Sequence, residues 1–187
     1  MILLWLFFGL GLVVLVWLGF WMAVTKLVEQ SSRQTEFAKG TLPFEPPNGF
    51  YRGSALLLGD RQTPWLGKSF DPANRTGINI FTPKGASLLK TLTPSYKLFQ
   101  KNTDGNTEAY FFKTSIEPGI KDPGQQVFKL DYDSPENPLI IRIILDEMIE
   151  TAPDQFLGKV HVKVFPGFFA TVGFFGLRSP TAGELAE

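Results

Sequence analysis

The segment KLDYDSPENPLIIRIILDEMIETAP, Lys129–Pro153, decides how the rest of the chain is read. It begins as an alternating strand, passes two prolines, turns strongly apolar and stops at a third proline. Asn137 suits an N-cap and Pro138 the first helical position. From there Leu139, Ile140, Ile141, Ile143, Ile144, Leu145, Met148 and Ile149 make a wide apolar face. Arg142, Asp146 and Glu150 recur at i, i+4, i+8 as a narrow polar stripe. Pro153 forbids continuation, and Ala152 before it is extended. The pattern predicts one amphipathic helix buried against a sheet.

The acids of this segment (Asp131, Asp133, Glu136, Asp146, Glu147 and Glu150) could form a paired-carboxylate or hard-metal site. Their spacing matches no metal loop, and Asp131 and Asp133 fall on the polar face of a strand, where solvation explains them. In the last turns of the predicted helix, Asp146, Glu147 and Glu150 would face the negative end of its dipole. Arg142 reaches Asp146 only in the weaker orientation and leaves Glu147 unanswered. A base of the β-domain is therefore expected to hold Asp146 or Glu147, with Arg52 and Lys68 as candidates. The pairing is structural in this reading.

Outward from this segment the chain reads as strands broken by turn residues. Residues 49–58, 63–70, 77–81, 95–100, 108–116, 127–133, 156–164 and 168–178 are the candidates. In VFKLDYD, Phe128, Leu130 and Tyr132 alternate with Lys129, Asp131 and Asp133. In GKVHVKV, Val160, Val162 and Val164 alternate with Lys159, His161 and Lys163. Short strands at regular spacing indicate a sandwich or a barrel. A barrel is favoured because both faces of the last strand are apolar or glycine. Residues 83–92 read as a short helix or an irregular lid.

Residues 2–24 carry no charge and are long enough to span a bilayer as a helix. A cleaved signal peptide would need a basic start, a shorter apolar core and a small-x-small site, none of which is clear. Lys26, Arg33 and Lys39 follow the run and no base precedes it, which places the C-terminal domain in the cytoplasm. GTLPFEPPNG, residues 40–49, cannot stay helical. The expected organisation is an anchor over 1–25, a juxtamembrane and Pro-rich segment over 26–47, a β-barrel over 48–179 and a tail over 180–187.

GFYRG (49–53) resembles the G-x-W-x-G signature of small bacterial β-barrel proteins named for that motif, with Tyr51 in the tryptophan position. WLGKSF (65–70) resembles the W-x-G-K-x-F that follows it there. More distantly, the arrangement is similar to lipocalin-like (calycin) barrels. The resemblance covers about twenty residues. It implies a barrel holding an apolar ligand and brings no catalytic residues.

The fold class expected is mainly β: one transmembrane helix, then an antiparallel, lipocalin-like barrel with one amphipathic helix before its last two strands. Eighteen phenylalanines are the compositional excess. Tyr51, Trp65, Phe81, Tyr110, Phe112, Phe128, Tyr132, Phe169 and Phe175 either line a cavity or fill a core. Tyr51, Trp65, Tyr110, Phe112 and Phe128 are the ligand-binding candidates. A chain without cysteine and with one histidine, His161, offers neither a thiolate zinc site nor a Ser-His-Asp triad. His161, between two lysines, reads as solvated. No cofactor or metal is expected. Zero formal charge leaves no footprint for nucleic acid. The partners expected are the membrane, through 2–24, and an apolar ligand or lipid. The competing function is an assembly subunit that docks a membrane protein on the barrel surface. An enzyme ranks behind both, because no nucleophile–base pair or metal set assembles.

Overall fold

A computed structural model describes residues 2–56 and 63–181, with side chains described from residue 13 onward. Strands β1 (Gly49–Ala55), β2 (Trp65–Asp71), β3 (Thr76–Phe81), β5 (Thr107–Pro118), β6 (Gln126–Asp131), β7 (Ile144–Ala152), β8 (Gln155–Phe165) and β9 (Phe168–Arg178) each pair antiparallel with their neighbours. The sheet closes where β9 meets β1, Ala55 opposite Phe175 and Arg52 opposite Arg178. A two-residue strand, β4 (Gln100–Lys101), is appended to β5 outside the closed ring. The result is an eight-stranded antiparallel barrel with up-and-down order, and closure leaves its main ring without a free edge.

Four helices accompany it among the described residues: α1 (Ile2–Glu29), α2 (Ser32–Phe37), α3 (Pro83–Leu92) and the single turn α4 (Leu139–Arg142). Residues 83–92 are the helix of the two alternatives, capped by Thr82 Oγ1 on the amide of Gly85 at 3.0 Å. Within the candidate strand 95–100 only Gln100 is extended, and the end of the first candidate, residues 57–58, lies outside the described residues.

The long amphipathic helix does not form. One helical turn ends at Arg142, and Ile144–Ala152 is a central strand, laddered to β6 on one side and β8 on the other. Asn137 does not cap. Its Nδ2 donates to the carbonyls of Phe111 and Tyr132 and ties down the loop instead. Asp146 and Met148 face the barrel interior, whereas Glu147 and Ile149 face outward yet are fully buried under a second layer. A strand buried on both faces loses its period-2 signature. Ile144, Ile149 and Thr151 suit a strand, and ladders to β6 and β8 override local helix formation.

That second layer is α1 and α2. Phe37 packs on Val127, Ile149, Leu157 and Phe174 from outside the barrel, with Val28 of α1 beside them. Gln125 Nε2 donates to the carbonyls of Phe37 and Gly40, and Thr41 bridges to Glu150. The segment before the prolines is thus docked on the barrel wall. Among the described residues no helix is long and apolar enough to cross a membrane. The side chains of residues 2–12, part of the uncharged run, lie outside the described set, and so does the tail beyond residue 181.

Inside the barrel, rings stack edge to face down the axis: Tyr51 on Phe70 at 5.8 Å, Phe70 on Phe112 at 5.5 Å, and Trp65 on Phe175 at 5.7 Å. The half of the barrel around Tyr51, Phe70, Phe112 and Phe128 is solid core. The other half, where β1 ends and β2 begins, is not.

Candidate functional site

At that end a cavity of about 530 Å³ opens beneath α3 and α4. Its walls are mainly apolar, from Trp65, Phe81, Leu89, Ile141, Ile144 and Phe175, and one polar cluster interrupts them. A groove of similar volume near the opposite end is lined by Glu45, Glu150 and Asp154 and lacks any comparable apolar wall.

Backbone irregularities build the polar cluster. Trp65 and Lys68 are three residues apart and would point to opposite faces of a regular strand. A bulge between Trp65 and Gly67 restores them to the same face. Gly67 sits at φ +145°, and a Cβ there would lie 2.0 Å from the Tyr51 carbonyl oxygen, so only glycine fits. A second bulge, between Ile78 and Asn79, lets Tyr110 adopt φ +59°, a strained value for an aromatic residue. Tyr96 Oη and Asn79 Nδ2 hold the strained peptide at 3.0 Å each, on the Tyr110 amide and carbonyl.

Lys68 Nζ spends its three protons on Asp146 Oδ2 at 3.0 Å, Asn79 Oδ1 at 3.0 Å and Tyr132 Oη. Trp65 Nε1 donates to Asn79 Oδ1 at 3.1 Å, and Asn79 Nδ2 donates to Tyr132 Oη at 3.0 Å. The ammonium also lies within 5.4 Å of the ring centres of Trp65, Phe112, Tyr132 and Phe175. Burial lowers the Lys68 pKa, and the Asp146 charge opposes that shift. Burial and the same carboxylate push Tyr132 well above the usual phenol range. Asp146 Oδ1 is buried and has no hydrogen-bond partner among the described residues.

Of the ligand-binding candidates, Trp65 and Tyr110 line the cavity. Tyr51, Phe112 and Phe128 fill the closed half instead, and Tyr51 Oη donates to Asp154 at 3.3 Å. Of the ion-pair candidates, Lys68 and Asp146 meet across the barrel from β2 and β7. They join two walls, with no helix between them. Arg142 pairs with exposed Asp133 at 2.7 Å, and Arg52 lies on the outer wall opposite Arg178. Glu147 meets His161 at 3.0 Å. Asn79 and Leu89 have no place in the sequence reading, and Ile141 and Ile144 enter it only as the apolar face of a helix. An asparagine in the middle of GINIF was the signal available for the first of them.

The expectation that His161 is solvated is overturned. His161 and Lys159 are fully buried on the outer wall because α1, α2 and the 119–125 loop cover them. His161 Nδ1 lies 3.3 Å from Thr171 Oγ1, which donates to Glu29 of α1 at 2.6 Å. Lys159 pairs with Asp122 at 2.6 Å and Glu29 at 3.4 Å, beneath the Phe37 ring. The second carboxylate oxygen of Glu147 accepts from the amide of Ile120 at 2.6 Å. This network fastens α1 to the barrel. Among the described residues no three histidine, aspartate or glutamate side chains are placed to hold a metal ion.

No family model matches the chain, and no curated protein matches it. A crystal structure of a protein from Thermomonospora curvata is similar, at 17% identity and a TM-score of 0.41, over 76% of this chain and 80% of that one.

Proposed function

We propose that this chain is a membrane-anchored binding module whose barrel takes up one apolar molecule, and that it is not an enzyme. The observation that carries the reading is the apolar cavity ending on a charge-compensated, buried Lys68–Asp146 pair. An eight-stranded barrel has room for one small ligand, as in lipocalins. The G-x-W-x-G and lipocalin-like resemblances of the two motif segments agree with that use. Anchoring is supported by the uncharged run 2–24, which lies in a helix of 28 residues, about 42 Å at ~1.5 Å per residue. The bases that follow it favour a cytoplasmic barrel.

The cavity's polar end also selects. Every proton of Lys68, Asn79 Nδ2 and Trp65 Nε1 is engaged, so a carboxylate head group finds no vacant donor and meets Asp146 instead. An uncharged molecule suits it better, since it brings no charge of its own against Asp146. Native mass spectrometry of the full chain released from gentle detergent tests this reading. A stoichiometric neutral lipid supports it. A co-purifying membrane protein with an empty cavity supports the assembly-subunit reading instead.

A further inference from the structure

The end of the barrel that holds the cavity is also where apolar side chains stand in solvent. Leu88 and Leu92 project from α3, Leu139 and Ile140 from α4, and Phe165 from the β8–β9 turn, all exposed. Isolated exposed leucines are ordinary, but a ring of them around one opening is not. The charge on α3 and the segment that follows it is one-sided. Between Pro83 and Lys101 the chain carries Lys84, Lys90, Lys97 and Lys101, all exposed, and no carboxylate. The facing loop is mixed: Asp133 is paired with Arg142, and the exposed Glu136 carboxylate accepts from the Ser134 hydroxyl.

The direction of α1 supplies the second observation. Val28 packs near Phe174, and Thr25 Oγ1 accepts from the Thr171 amide at 3.1 Å, so towards its N-terminus α1 runs toward the β8–β9 turn. Leu18, Trp21, Thr25 and Val28 are half-buried at helical spacing, whereas Val13 to Trp17 are exposed all round. The helix therefore leaves the barrel wall near Leu18, and the rest of it projects past the cavity's end. An anchor leaving on that side brings the opening toward the bilayer.

We propose that the rim formed by α3, α4 and the β8–β9 turn is a second, peripheral contact with an anionic lipid bilayer, so that the cavity opens onto the membrane surface. The inference rests on reading α1 as the anchor, because that helix sets which way the opening faces. Leucines at the acyl boundary with lysines among the head groups is the arrangement of interfacial helices. A ligand soluble in lipid then enters the barrel without crossing water.

The absence of cysteine makes the test direct, since single cysteines can be placed in the full chain and labelled. Leu92→Cys and Ile140→Cys put an environment-sensitive dye on the rim, and Ala73→Cys puts one on the exposed turn after β2, at the far end. The labelled chain is reconstituted into vesicles of phosphatidylcholine with phosphatidylglycerol that carry a lipid-borne quencher. The rim dyes should lose emission and the Ala73→Cys dye should not. The difference should shrink in phosphatidylcholine alone and in a Lys84→Gln/Lys90→Gln/Lys97→Gln variant. Rim dyes quenched no more than the far-end dye, in a chain that floats with the vesicles, would overturn the docking and leave the anchor standing. A chain that fails to float would remove the anchor, and the docking with it.

Discussion

Lys68 and Asp146 meet at 3.0 Å inside the barrel, from strands that are not neighbours, with both side chains sealed from water. Two charges desolvated together are weak evidence of stability, but either one alone is costly. Lys68→Met should destabilise the fold by about 3–5 kcal/mol, because Asp146 is left buried and charged. Lys68→Met with Asp146→Leu should recover most of that loss. Chemical denaturation of the single and double variants measures the coupling, and additive losses would reject the pair as a unit.

The four tyrosines yield a pH prediction. Burial raises the pKa of Tyr51, Tyr96, Tyr110 and Tyr132 above the ordinary value of 10.0. A raised phenol contributes stability that is complete below its unfolded pKa and lost as pH climbs above it. Lys68, lowered by burial, runs the other way, adding stability as pH rises through the window below 10.5. Above pH 10 the tyrosines should prevail. Tyrosinate absorbance should then appear in one cooperative step that coincides with loss of circular dichroism. A gradual, non-cooperative phenol titration in the folded protein would contradict the burial.

On the outer wall, Lys159 answers both Glu29 and Asp122. Both carboxylates are partly exposed, so Lys159→Met should cost only about 1–3 kcal/mol. The loss should be local. Amide exchange should accelerate across residues 18–37 while the interior-facing strands β2 and β3 keep their protection. Uniform acceleration throughout the barrel would show that the helices and the barrel unfold as one unit.

Much of the barrel was legible in the sequence, for reasons that also explain the failures. VFKLDYD has one face inside and one near solvent, so Phe128, Leu130 and Tyr132 announce the strand. Residues 144–152 carry a charge and apolar groups on each face, because α2 covers the outside and Lys68 answers Asp146 within. Period 2 is invisible there, and the isoleucines imitate a helix. His161 and Lys159 looked solvated because GKVHVKV alternates cleanly, and nothing local reports that a distant helix covers the polar face. Trp65 and Lys68 share the cavity only through a bulge, which single-strand parity does not anticipate. The polar cluster was half visible. Lys68 and Asp146 stood out as charges needing partners, whereas the geometry that joins them depends on closure of the whole ring.

Trp65, in the cavity wall, can report directly whether an apolar, uncharged molecule enters the barrel as proposed. Replacing Trp5, Trp17 and Trp21 by phenylalanine in the full chain leaves Trp65 as its single tryptophan. Titrating that variant with a long-chain alcohol and with the fatty acid of equal length compares the two head groups directly. The expected result is a saturable shift in emission with the alcohol, a weaker one with the acid at neutral pH, and none with either once Ala55→Phe fills the cavity. A flat response to the alcohol, or a shift that survives Ala55→Phe unchanged, would contradict it.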